Sequence, residues 1–412
     1  MDLNRHRYST TLLLITVMTT IIAGKSLAAM PTVDSITPYL VQNDSTKSVI
    51  IKGSGFEEGA RVSIWEGGPH IKASINTPGF ARNVYVSGNY AYVADGSWPS
   101  SGLQIIDISD PLTPSIVGYV ITQDYGYDVS VSGNYAYMAA GTSGLQIIDI
   151  SDPANPFIIH TVNIYASADS VYISGRYAYV ADASSGIQVI DISIPAKSSI
   201  IGSVKTPDNA QGIYIFKSYA YVADNDSGLQ VIDISAPGRP SIVGSVKTPG
   251  SAYGVYISTN YAYVADGNLQ VIDISVPGRP SIVGSIKTPG STCGVYIYRN
   301  YAYVADKSFG LHIIDISDPT KPFILGSVDT PGFAYGMYIS NNYVFVADGY
   351  LGLQVIMTPI LLDCSVNSPT RITTEIPSHL PQSVYHVIVT NPDGKIGKLY
   401  NGFRVISGDV QQ

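Results

Sequence analysis

GVYISTNYAYVADGNLQVIDISVPGRPSIVGSIKTPG (254–290) carries the plan of most of the chain. GVYIS is followed by a tight polar turn and then YAYVAD; LQVIDIS comes after a short loop, and SIVGSIK after the Pro-bearing turn VPGRP. Each piece is five to seven residues rich in Val, Ile and Tyr and bounded by turn formers, the signature of a β-strand on a pleated, largely buried surface. No stretch of the unit sustains a helical period.

The unit recurs. Its central tyrosine returns as Tyr90, Tyr135, Tyr177, Tyr219, Tyr261, Tyr301 and Tyr343, at intervals of 45, 42, 42, 42, 40 and 42 residues. Four strands in about 42 residues, repeated without helices, predict a β-propeller blade. The last unit stops after YLGLQVIM (350–357), one strand short, and the missing strand precedes the first unit. PHIKASINTPG (69–79) matches PSIVGSIKTPG (280–290) at Pro69, Ile71, Ser74, Ile75, Thr77, Pro78 and Gly79. This permutation predicts a ring of seven blades closed by an N-terminal strand, which leaves no open end.

GLQIIDISDP (102–111), preceded by YAYVAD and followed by P-x-I-V-G, resembles the LVIVD repeat of exported bacterial and archaeal proteins. The resemblance runs over residues 69–357 and implies a β-propeller at or beyond the cell surface. It implies no single activity, because the family is defined by its repeat.

The flanks do not repeat. SITP, GSGFEEGARV, SPTRITTEIP, VTNPDG and NGF together resemble the two halves of one IPT/TIG domain, a small immunoglobulin-like sandwich. The expected architecture is all-β: residues 29–69 and 358–412 form the split Ig-like domain with a C-terminal tail, and the propeller, 70–357, is inserted between them. By analogy with other four-strand blades, the Ig-like domain should hang from one face of the ring and leave the opposite face free.

Residues 1–28 read as a signal peptide. Arg5 and Arg7 precede the apolar run TLLLITVMTTIIAG, and Ser26-Leu27-Ala28 is a small-x-small cleavage site. The expected location is therefore secreted, periplasmic or at the cell surface, with no membrane insertion of the mature chain. Without Asp2, Arg5, Arg7 and Lys25 the mature chain has 20 basic and 30 acidic residues. That balance speaks against nucleic acid, whose phosphates need Lys and Arg. Charged residues make up only 13%, while 31 Tyr supply an uncharged, aromatic surface. Nothing in the sequence brings Cys293 and Cys364 together, so a disulfide is not expected.

Two aspartate series tempt a metal or acid–base reading: Asp107, Asp149, Asp191, Asp233, Asp273 and Asp315 in IDIS, and Asp95, Asp182, Asp224, Asp266, Asp306 and Asp348 after YVA. A carboxylate repeated in six of seven units at a strand end is expected to accept turn N–H groups. Functional positions should differ from unit to unit instead. The residue opening each fourth-to-first loop's exit does: Arg82, Tyr127, Asp169, Gln211, Tyr253, Cys293 and Tyr335. A cation, an anion, an amide and three phenols around one channel mouth make a recognition surface, tyrosine offering apolar contact with a hydrogen-bonding tip. The competing reading is drift at a tolerant, solvated position. Trp98, in DGSWPSSG (95–102), is placed on the same face, either as a contact or folded onto its own blade.

Catalytic signatures are poor. His70, His160, His312, His379 and His386 show no metal-ligand spacing, and DNDSG (224–228) departs from a calcium loop in its Gly position and lacks the closing Glu. Asp128 and Asp169 are the carboxylates a glycosidase would need, at a separation sequence does not give. The expected function is non-enzymatic recognition of a cell-surface or extracellular protein or glycan, without a cofactor or metal. The candidate contacts are Arg82, Trp98, Tyr127, Asp169, Gln211, Tyr253 and Tyr335. The alternatives are a structural surface component and a secreted polysaccharide hydrolase or lyase.

Overall fold

The computed structural model describes residues 30–66, 70–96, 102–378, 380, 382–392 and 395–406. Trp98, His379 and the expected signal peptide lie outside these residues. Seven four-stranded antiparallel sheets follow one another along the chain. In the unit quoted above, the strands are Gly254–Ser258, Tyr261–Ala265, Leu269–Asp273 and Ser281–Ile286. The first hairpin turns so tightly that its residues take left-handed backbone, which glycine supplies in blade one (Gly88, φ 58°).

The alternation in YAYVA explains how blades stack. Tyr179 and Ala181 of blade three pack with Ile187 and Val189 against Ala210, Ile213 and Ile215 of blade four. Ala178 and Val180, pointing the other way, meet Tyr137, Ala139 and Ile147 of blade two. With a strand period of two, large residues fill the wedge toward one neighbour and small ones let the other neighbour approach.

The ring closes as the permuted strand requires. Ile71–Ile75 pairs antiparallel with Leu353–Met357, in the register Leu353↔Ile75, Gln354↔Ser74, Val355↔Ala73. Across the seam, Phe345, Ala347, Leu353 and Val355 of blade seven share a core with Ala81, Val84 and Val86 of blade one. Gly349 and Ala81 also bridge main chain to main chain.

Both aspartate series serve the frame. In IDIS, each carboxylate accepts the N–H two residues on, as Asp107 does from Ser109 and Asp233 from Ser235. The second series ties down the preceding blade's T-P-G turn: Asp95 accepts from the Gly79 N–H and Thr77 hydroxyl, Asp348 from Gly332 and Thr330. His312 stands where the six other blades place Gln, and its ring joins Asp306 to Ser327.

The flanking segments build two further sheets that share one core. The first orders Thr32–Thr37, Lys47–Ser54, Arg371–Ile376 and Cys364–Ser368. The second orders Leu40–Gln42, Ile396–Ile406, Val384–Thr390, Arg61–Glu66 and Ile360–Leu362. Each sheet takes strands from both flanks, and Ile51, Phe56, Val62, Ile64, Ile372, Tyr385 and Phe403 fill the space between. This unit touches blades six and seven where the first strands end. Trp65 is buried with Ile388 against Tyr301 and Tyr303, and its indole N–H donates to the Met357 carbonyl at 3.4 Å. Arg61 Nη2 meets Asp315 Oδ2 at 2.6 Å, and Asp315 is only 2% exposed.

Candidate functional site

The opposite end of the ring, where the first strands begin, is open. The seven first strands converge there on one central cavity of about 510 Å³. Its wall includes all seven variable positions picked out in the sequence: Arg82, Tyr127, Asp169, Gln211, Tyr253, Cys293 and Tyr335. The reason is topological. Equivalent residues of successive units must lie on one circle, and a residue at the start of an innermost strand lies at the channel mouth.

Cys293 differs from its six counterparts in being committed to the frame. Its thiol lies within 3.5 Å of the Ala334 and Tyr335 carbonyls, and burial pushes its pKa up to about 12. Cys364 is likewise free, with its thiol donating to the Ala60 carbonyl at 3.2 Å.

Below the mouth, the third residue from the end of each first strand faces the channel. Six are tyrosines, and their rings form an arc in the order Tyr172, Tyr214, Tyr256, Tyr296, Tyr338, Tyr85, with neighbouring centroids between 4.6 and 5.2 Å apart. Burial raises the pKa of Tyr85 to about 12, and the adjoining Tyr338 adds to the shift. The seventh seat, in blade two, holds Ser130. These residues are visible in the sequence as part of GVYIS-type strands, where the pattern reads only as core; their inward direction depends on ring closure.

The charged groups are unevenly held. Asp128 is buried, and its two oxygens take hydrogen bonds from Asn83 Nδ2 (2.5 Å), the Val129 N–H (2.8 Å), Ser170 Oγ (2.7 Å) and the Val171 N–H (2.9 Å). Burial raises its pKa against those four bonds. Asp169 accepts from Ser167 Oγ at 2.8 Å and Gln211 Nε2 at 3.0 Å; burial again raises its pKa.

Arg82 is held differently. Its guanidinium carbon lies 4.7 Å from the Tyr127 ring centroid, 5.4 Å from Phe80 and 5.8 Å from Tyr335. Phe80 is fixed in turn by edge contacts with Tyr335 and Tyr350. Lys307 Nζ lies 5.3 Å from the Tyr253 centroid on the same wall. Sequence reasoning missed Phe80, Asn83 and Lys307, because each acts on a residue of another blade. The adjacency of Phe80 to Arg82 was the available signal for the first.

Fold and cavity together define the class: a seven-bladed β-propeller with a polar, aromatic pocket on its free face. The chain belongs to the LVIVD-repeat family, whose model matches residues 78–122, 125–164, 166–206, 207–248, 249–288, 289–330 and 331–356. Among solved structures it is similar to a chain of the mitotic checkpoint complex (12% identity, TM-score 0.60, covering 71% of this chain and 93% of that one). It is also similar to the WD40 β-propeller domain of Doa1 (7%, TM-score 0.57, 71% and 96%) and to the computationally designed Ika8 protein (10%, TM-score 0.52, 80% and 98%). At these identities the likeness concerns the fold. No curated protein matches the sequence.

Proposed function

We propose that the chain is an exported, non-enzymatic recognition module that binds an extracellular protein or glycan in the central cavity. The observation that carries this reading is the contrast within one wall. A frame that repeats its aspartates and tyrosines unit by unit surrounds a mouth where Arg82, Asp169, Gln211 and the phenols of Tyr127, Tyr253 and Tyr335 bring a cation, an anion, an amide and three hydroxyls to one 510 Å³ space. That volume lies within the range of small-ligand pockets. The carboxylate pair needed for glycoside hydrolysis gains no support, since the four hydrogen bonds to Asp128 leave it a structural role.

In the same reading the two-sheet unit is an IPT/TIG-type Ig-like domain acting as spacer or docking piece, and residues 1–28 direct export. The interleaving of both flanks in each sheet and the five matching sequence pieces support the former. The test is binding of the purified chain to a glycan array and to envelope extracts, beside a Tyr127→Ala, Tyr253→Ala, Tyr335→Ala variant. Binding that the variant loses supports the cavity as the site. Binding that it retains, with the fold intact by circular dichroism, refutes it.

A further inference from the structure

Arg82 is a cation with its attractions half satisfied. The three rings around its guanidinium hold it by cation–π contact, which strengthens as the pair is desolvated. Those contacts use the faces of the rings. Among the described residues the buried Nε has no acceptor and Arg82 forms no ion pair. A buried donor without an acceptor is costly, and a guanidinium fork fixed in place is the group best shaped to meet a planar carboxylate.

The carboxylates already in the wall do not answer it. Asp128 spends both oxygens on Asn83, Ser170 and two backbone N–H groups, while Asp169 spends its own on Ser167 and Gln211. Asp169 is near enough to feel the Arg82 charge, yet it is bonded to neutral donors. Lys307 adds a second cation on the same wall, also without an ion pair among the described residues.

The remaining surface suits a sugar. Gln211 and the phenols of Tyr127, Tyr253 and Tyr335 offer neutral donors and acceptors around the cavity. The loops at this end expose Tyr125, Tyr165 (74%), Phe309, Phe333 and Tyr350 (68%) as flat platforms for the C–H faces of pyranose rings.

We propose that the cavity receives a carboxylated sugar, a uronate- or nonulosonate-type residue of a glycan, with its carboxylate on Arg82 and its ring against the tyrosines. This rests on the recognition reading and narrows it to acidic saccharides.

The experiment titrates the full chain, by calorimetry, with a panel of uronate- and nonulosonate-containing oligosaccharides and with each compound's carboxyl-reduced, neutral counterpart. A glutamate-containing tripeptide serves as a carboxylate of peptide origin. At least one acidic saccharide should bind about tenfold or more tightly than its neutral form, the margin shrinking as salt is raised. Arg82→Gln should remove that margin, and Arg82→Lys should keep part of it. Equal binding of acidic and neutral forms overturns the proposal, and if that binding is still lost in the three-tyrosine variant, the recognition reading survives alone. Preferential binding of the tripeptide, or no binding by any acidic saccharide, also overturns it.

Discussion

Blades four to seven and blades one to three are built on one unit and solve the same crowding problem in two ways. At the residue after the variable mouth position the later blades carry Gly212, Gly254, Gly294 and Gly336. A Cβ there would stand 2.6, 2.5 and 2.3 Å from the next blade's carbonyl oxygen for the first three, and 2.2 Å from Asn83 Oδ1 for the fourth. The earlier blades carry Asn83, Asp128 and Ser170 instead, and the three side chains bridge from blade to blade through Asp128. Ser130, the one break in the tyrosine arc, and Arg82, Tyr127 and Asp169 belong to the same three blades. Drift would scatter departures around the ring. Here they are consecutive, mutually hydrogen-bonded and beside Arg82, which supports the proposed site over drift.

The largest expected effect comes from removing the bridge. Asp128→Ala strands two backbone N–H groups, the Asn83 amide and the Ser170 hydroxyl in a buried place, and should cost about 3–5 kcal/mol of stability, several unsatisfied groups at roughly 1–3 kcal/mol each. Denaturant unfolding measures it; a loss below ~1 kcal/mol would mean the irregular arc is held by something else. The matching test on the regular arc is Gly294→Ala, which puts a methyl 2.3 Å from the Tyr335 carbonyl. Overpacking of that kind costs about 1–3 kcal/mol. Ser170→Ala, in the arc that already accommodates a side chain, should cost only its one hydrogen bond, about 1 kcal/mol.

The two ends of the ring should also answer pH with opposite sign. At the cavity end, burial raises Asp95 from 3.8 to about 6 against the Gly79 and Thr77 hydrogen bonds. Its folded form holds the proton more tightly than its unfolded form, so its contribution favours folding below about pH 4 and is lost as pH rises to about 6. At the other end, the Ser193 and Arg176 hydrogen bonds lower Asp191 to about 2, so its contribution is present above about pH 4 and is lost as pH falls toward 2. Melting curves across pH 2 to 7 should flatten between pH 4 and 6 in Asp95→Asn, and below pH 4 in Asp191→Asn.

How much of this was legible in the sequence depends on what each feature needs. The blade needs only local pattern, and the closing strand only a comparison of 69–79 with 280–290. The mouth residues were legible for the same reason: once units are aligned, Arg82, Tyr127 and Asp169 share a position. What could not be read was anything defined by two blades at once. Asp128 looked like a free acid because its partners Asn83 and Ser170 lie 45 and 42 residues away. Phe80 and Lys307 acquire meaning only against rings from other blades, Tyr335 and Tyr253. Asp315 was one of six equivalent carboxylates until the two-sheet unit placed Arg61 on it.

The smallest effect on stability is the one that bears most directly on the cavity. Ser130 sits at the arc's only gap, flanked by Tyr85 and Tyr172, and pairs with Tyr137 as Tyr256 pairs with Tyr263. If the gap is a seat left open for a ligand, Ser130→Tyr should close the arc and gain about 0.5–1.5 kcal/mol through its new ring contacts. It should also lose binding in the calorimetric panel, because the added ring takes space from the cavity. A variant that is stabilised yet still binds would place the ligand higher, among Arg82, Tyr127 and Tyr335. One that is destabilised would mean that the Asp128 bridge draws blades one and three too close for a seventh ring, and that the gap is a consequence of the bridge.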